Sequence, residues 1–218
     1  MFKKFMCFLV VLTFFSTLPN QHSFAQSIDD NTLKTILVMG DSLSAGYNLP
    51  PGTSFPSKLQ IWLNNNGHTV KVINAGVSGD TSAGGLARLD WALAGISNPP
   101  DLVIVEFGGN DALRGIEPAN TTANLDEMIT TLKEKQIPTY LMGMKAPPNM
   151  GAHYGGQFDG LFAKLAEKHS IPLYPFFLDG VAAIPHLNLI DGIHPNEQGV
   201  DIIVSKLGPL VAELIYAP

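Results

Sequence analysis

Cysteine is all but missing from these 218 residues: the only one, Cys7, stands near the amino terminus. Beyond it no disulfide, thiolate metal site or thiol nucleophile is available. Clusters of cations are missing too. Lys and Arg together number 13 against 19 Asp and Glu, a net charge of −6, and no basic block interrupts this acidic background. A nucleic-acid partner is therefore not expected. No His/Asp/Glu group has metal-ligand spacing, so no metal site is expected. After residue 25 no apolar run is long enough to cross a bilayer. No repeat, low-complexity tract or linker divides the chain. Ser44 and Ser78 fall outside any G-x-S-x-G pattern, which argues against an ordinary α/β-hydrolase elbow.

Lys3 and Lys4, the apolar run from Phe5 to Leu18, and the small-residue site Ser23-Phe24-Ala25 compose a secretory signal. Residues 1–25 are expected to be removed near Ala25, and 26–218 to form one domain with a sizeable core. Cys7 would leave with the signal, and losing Lys3 and Lys4 would make the remainder more acidic still. Export of a chain without disulfides suits a bacterial periplasmic or secreted enzyme whose core stands alone. No stable membrane insertion is expected after cleavage.

The rest alternates short β-branched runs with amphipathic stretches. Strands are expected at Thr35–Met39, Val70–Asn74, Leu102–Phe107, Thr139–Gly143 and Leu173–Phe176. Helices are expected at Phe55–Asn65, Ser82–Ala94, Thr121–Gln136, Gln157–His169 and Glu197–Ile215. Asn64-Asn65-Asn66-Gly67 supplies a helix stop with a glycine for the left-handed cap. The run Leu102-Val103-Ile104-Val105 is continuously apolar, as in a strand covered on both faces. This order implies a three-layer α/β/α sandwich on a five-stranded parallel sheet with right-handed crossovers. The functional crevice of such a sheet lies at the carboxyl ends of its strands, where Ser42, Gly79 and Asn110 fall.

Gly40-Asp41-Ser42-Leu43-Ser44 places a hydroxyl where the first strand ends, and Asp191-Gly192-Ile193-His194-Pro195 supplies a carboxylate and an imidazole. A serine hydroxyl becomes a nucleophile only beside a base, and a carboxylate on the base's other nitrogen orients it. The three-residue spacing of Asp191 and His194 in a Gly- and Pro-punctuated loop lets both face one site. Acyl transfer further needs donors for an oxyanion. Ser42 N–H, Gly79 N–H in the loop Asn74–Thr81, and the Asn110 amide in Gly108-Gly109-Asn110-Asp111 are the candidates. Asp41 is expected to hold its turn by hydrogen bonds rather than to act chemically.

These four blocks, in this order, resemble the SGNH (GDSL) hydrolases. Ser78-Gly79-Asp80-Thr81-Ser82, Gly85–Leu89, Glu106–Gly115 and Pro175-Phe176-Phe177 are similar to its bacterial periplasmic thioesterase I, arylesterase and lysophospholipase branch. The resemblance runs from about Lys34 to the C-terminus. It implies the flavodoxin-like SGNH fold, with Ser42 as nucleophile, His194 as base, Asp191 as its orienter, and Ser42, Gly79 and Asn110 as the oxyanion hole. It implies neither metal nor organic cofactor. It also places a substrate-covering loop at Ala112–Pro118 and a substrate-facing one at Lys145–Tyr154, making Leu113, Arg114, Pro147 and Tyr154 substrate contacts. The expected activity is hydrolysis of aryl esters, acyl thioesters and lysophospholipids through an acyl-enzyme. The working unit is expected to be a single chain whose partner is the small-molecule acyl ester or thioester. A carbohydrate acetylesterase and a non-catalytic lipid- or glycan-binding protein are the alternatives.

Elsewhere the expectations are structural. Trp62 and Trp91 should fill core, His68 and His169 should be exposed, and His153 and His186 should be surface residues. Arg88 and Arg114 are open to either internal hydrogen bonds or a polar head group.

Overall fold

The apolar runs become a five-stranded sheet whose strands are all parallel, ordered β2-β1-β3-β4-β5. They are β1 Lys34–Gly40, β2 Val70–Gly76, β3 Leu102–Glu106, β4 Thr139–Met142 and β5 Leu173–Tyr174 in a computed structural model that describes residues 33–216. β1, β3 and β4, inside the sheet, carry the buried runs; β2 and β5 form its edges and are only partly covered. The signal segment expected at 1–25 lies outside the described residues. Among those described, no helix is long and apolar enough to cross a membrane.

The helices are α1 Ser42–Ala45, α2 Phe55–Asn65, α3 Ser82–Ala87, α4 Leu89–Ala94, α5 Gly109–Leu113, α6 Pro118–Glu134, α7 Ala152–Asp159, α8 Leu161–His169 and α9 Glu197–Ile215. The chain steps one way from β1 to β2 and the other way from there to β3, β4 and β5. Right-handed crossovers then put α2 on one face of the sheet and the middle helices on the other. Accordingly α2 packs on α9, while α6 packs on α3 and α8. Phe55 at the start of α2 is fully buried, edge-on to Phe177 at 5.1 Å. Gly67 takes φ +83° after α2, the left-handed stop expected there.

Several boundaries differ from the sequence reading. β3 and β4 stop one residue early, β5 two, and β2 runs two residues further. The helix expected at Ser82–Ala94 breaks at Arg88, whose backbone leaves the helical region (φ −109°, ψ 4°). Its guanidinium there reaches the carbonyls of Gly40 and Ala75 and the carboxylate of Asp80. The one expected at Gln157–His169 starts earlier and divides at Gly160. α6 opens three residues early because Pro118, with its fixed φ and missing N–H, suits the first helical position. Trp91 is corrected from core to surface: it is 78 % exposed on the short α4, whereas Trp62 is half-buried over Gly208. His169 is corrected in the opposite sense. It is buried, its Nε2 2.6 Å from Asp126 Oδ1 on α6.

Gly40 and Gly76 stand opposite each other at the ends of β1 and β2, and α1 is seated over them. A Cβ at Gly76 would strike the Ala45 backbone, with Ala45 Cα at 2.8 Å. Backbone cannot swing aside as a flexible side chain can. Gly76→Ala is expected to lower the unfolding free energy by about 1–3 kcal/mol, measured by urea denaturation; an unchanged midpoint would show that α1 yields freely.

Candidate active site

β1 ends at Gly40 and the chain turns at once into α1. Asp41 caps this turn, its Oδ1 accepting from Leu43 N–H at 2.9 Å, as the sequence leads one to expect. Ser42, largely buried, is the first helical residue. Its Oγ lies 2.9 Å from His194 Nε2, and His194 Nδ1 lies 2.8 Å from Asp191 Oδ2. An ionised carboxylate can only accept, so Nδ1 carries the imidazole hydrogen, and Nε2 presents its lone pair to the Ser42 hydroxyl.

The loop that bears both partners is braced from within. Asp191 Oδ1 accepts from the N–H groups of Ile193 and His194 at 2.9 and 3.0 Å. Gly192 makes the intervening tight turn at φ +69°, a region that favours glycine. Leu189 N–H donates to His194 O, and Asn188 pairs with Pro195 across the loop. The Asn188 amide in turn donates to the carbonyls of Val181 and Ile184 at 2.8 Å. Partial burial alone would raise the Asp191 carboxyl. The N–H groups of His194 and Ile193 and the imidazole outweigh it and hold the carboxyl below its usual range. Tyr47 covers the imidazole, ring centroids 4.6 Å apart. The sequence offered no signal for Tyr47 or Asn188.

The expected oxyanion donors converge on this turn through their own loops. Gly79, past β2, adopts φ +88°. Arg88 fixes the following residue, its Nε 2.6 Å from Asp80 Oδ2. Asn110 sits in the first turn of α5, after β3. Its Nδ2 lies 3.0 Å from Asp41 Oδ2 and 3.0 Å from Asp80 O. Both amide hydrogens are thus engaged by the nucleophile's turn and the Gly79 loop. As the expected oxyanion donor, this amide would share or exchange one of those bonds to meet an oxyanion. Burial lifts the Asp41 carboxyl to about 6, opposed by Leu43 N–H, the Asn110 amide and His194. At neutral pH it is ionised and a strong acceptor for Asn110. Asn110→Ala is expected to lower kcat by about 10²–10³, read in steady-state ester hydrolysis; an unaltered rate would remove Asn110 from the oxyanion hole.

The loop residues expected to meet substrate are placed as follows. Leu113, half exposed, closes α5, and Arg114 Nη2 donates to Gly79 O at 2.8 Å. Tyr154, on α7, donates its hydroxyl to Ile116 O at 2.8 Å and stacks on Phe158. Arg114 and Tyr154 thereby pin the segment after α5 from two sides. Pro147 is half-buried just ahead of a single 3₁₀ turn at Pro148–Met150. Of the arginines left open, Arg88 is wholly structural, with three internal acceptors. His153 and His186 are exposed, and His68 is half-buried against Tyr216. Among the described residues no group of three or more His, Cys, Asp or Glu could hold a metal ion.

Residues 38–202 match the GDSL-like Lipase/Acylhydrolase family. The chain is 42 % identical over 175 residues to an arylesterase of Vibrio mimicus, covering 80 % of this chain and 86 % of that one. It is 38 % identical over 182 residues to the thioesterase 1/protease 1/lysophospholipase L1 of Escherichia coli strain K12, covering 81 % and 85 %. It superposes on the crystal structure of AlinE4, a SGNH-hydrolase family esterase, with a TM-score of 0.72 at 47 % identity, covering 85 % of this chain and 98 % of that one.

Proposed function

Since this chain belongs to the GDSL-like lipase/acylhydrolase family, we propose that its serine esterase chemistry runs through Ser42, His194 and Asp191. The observation that carries this assignment is the unbroken relay Asp191–His194–Ser42, with links of 2.8 and 2.9 Å. His194 Nε2 takes the Ser42 proton as Oγ attacks the acyl carbonyl. The oxyanion is met by the N–H groups of Ser42 and Gly79 and by the Asn110 amide. The tetrahedral adduct collapses, His194 protonates the departing alcohol or thiol, and an acyl-Ser42 ester remains. Water deprotonated by His194 then attacks that ester and releases the acid. Asp191 keeps the imidazole in the tautomer that can accept, and stabilises it once charged.

The protein is a carboxylic ester hydrolase, and its substrates are esters or thioesters of an apolar acyl or aryl group. Exposed apolar side chains support this reading. Tyr47 lies on the imidazole, Val77 two residues before Gly79, Leu113 three after Asn110, and Ile193 beside His194. Aryl esters, acyl thioesters and lysophospholipids all present such a group next to the scissile carbonyl, and the names of the relatives point the same way. Neither a carbohydrate acetylesterase nor a non-catalytic binding protein calls for this rim together with an intact relay. The relay is complete within one chain, which supports a single chain as the working unit. It works in the periplasm or outside the cell, after loss of residues 1–25; the Lys3/Lys4 start, the apolar run and the Ala25 site support export.

Intact mass after incubation with a fluorophosphonate tests the assignment. A single adduct on the wild type and none on Ser42→Ala is the expected result. A folded wild type that takes up no label would overturn it.

A further inference from the structure

Glu106 closes β3 beside the turn that carries Ser42. It is paired in register with Gly40 of β1 and is fully buried. Its Oε2 accepts from the Ser44 hydroxyl at 2.7 Å and from Asp41 N–H at 3.4 Å. One oxygen therefore grips the residue before the nucleophile and the residue two after it. The space that this requires exists because Gly40 has no side chain. A Cβ there would collide with the Ser44 hydroxyl and come within 2.6 Å of Glu106 Oε2. The other oxygen, Oε1, is buried with no hydrogen-bond partner.

An ionised carboxylate in this position would bury a charge with one oxygen unmatched, a costly arrangement. A neutral acid keeps Oε2 as the accepting carbonyl and leaves only an uncharged hydroxyl at Oε1 without a partner. Burial, and then the charge of Asp41, push the Glu106 carboxyl well above its usual range, against the opposing bonds from Ser44 and Asp41. Of the two neighbouring acids, Asp41 is the one that carries charge, and it also holds Leu43 N–H and the Asn110 amide.

We propose that Glu106 is a positioning residue for the esterase reaction, fixing the first turn of α1 through Ser44 and the Asp41 N–H. That turn sets two things at once, the approach of Ser42 Oγ to His194 and the direction of the Ser42 N–H. The proposal rests on the reading of Ser42 as nucleophile. Because the acid acts in its neutral form, an acceptor oxygen of the same reach should replace it, whereas an apolar side chain of similar volume should not.

The experiment compares wild type, Glu106→Gln and Glu106→Leu on a soluble p-nitrophenyl ester. Rates are expressed per active site titrated with a fluorophosphonate, and stability is read separately in urea. Glu106→Leu is expected to lose about 10- to 100-fold in kcat, the scale of a nucleophile displaced by about an ångström, while KM stays put. Glu106→Gln is expected to recover most of that loss. A purely structural role would move the urea midpoint and leave kcat per titrated site alone. Should Glu106→Leu fail to fold, Ser44→Ala cuts the same bond from its other end and is expected to lower kcat in the same sense. Parity of Glu106→Leu or Ser44→Ala with wild type, or a Glu106→Gln enzyme no better than Glu106→Leu, would overturn the proposal alone. An inactive wild type would overturn the esterase reading, and the proposal with it.

Discussion

Replacing Ser42 with alanine is expected to lower kcat by about 10⁵–10⁶-fold, with little change in stability. The size of the loss follows from what the hydroxyl does. It supplies the bond on which both half-reactions depend, and no other hydroxyl on α1 can stand in for it: the Ser44 hydroxyl is turned inward onto Glu106. What survives is the oxyanion site acting on a bound ester attacked by water, a modest advantage over solution. Stability should hold because the turn is made by other groups. Asp41 supplies the cap, Gly46 closes the turn in the left-handed region, and Ala45 N–H bonds to Asp41 O. Circular dichroism and urea denaturation beside p-nitrophenyl ester kinetics make the check. Turnover within 100-fold of wild type in a contamination-free Ser42→Ala preparation would sink the nucleophile assignment.

Asp191→Asn is expected to cost about 10⁴-fold in kcat, for a reason visible in the hydrogen bonds. One oxygen of Asp191 is fixed by the N–H groups of Ile193 and His194. In the asparagine variant the amide oxygen must take that place, since two donors already point there. The NH₂ group is then left facing His194 Nδ1 and donates to it. The imidazole hydrogen moves to Nε2, where it confronts the Ser42 hydroxyl instead of accepting from it. The geometry survives and the tautomer is wrong. The loss should therefore appear in kcat with KM little changed and the fold intact. A loss under tenfold would mean that His194 works without its carboxylate.

Much of this could be read from the chain itself, and the exceptions have physical causes. The inner strands were legible because burial on both faces leaves continuous apolar runs such as Leu102–Val105, and α2 and α9 because their stops and caps are local. α1 and α5 were not, since four or five residues complete barely one turn and show no periodicity. Arg88 hid inside an apparently continuous helix, because its reach to Gly40 O and Ala75 O depends on strands distant in sequence. His169 looked like a surface residue at a helix end until Asp126, 43 positions away, claimed it. The relay was legible as a set of motifs, and the structure supplies its distances. The engagement of Asn110 with Asp41 and Asp80 had no sequence signal. Glu106 had a faint one, a lone acid closing an apolar strand, whose meaning emerges only with Ser44 beside it.

The hydrogen bond between Ser42 and His194 spans 152 positions of the chain, and this governs when the enzyme comes alive. Ser42 is made with the first strand. His194 arrives about 10–30 s later at ordinary rates of synthesis. Its loop is held from the far side as well, as Asn196, which caps α9, bonds to Leu187 and His186 and as α9 settles on α2. Until that last helix docks, the serine is an ordinary alcohol. A chain whose last helix has not docked therefore holds all three relay residues without the geometry that joins them.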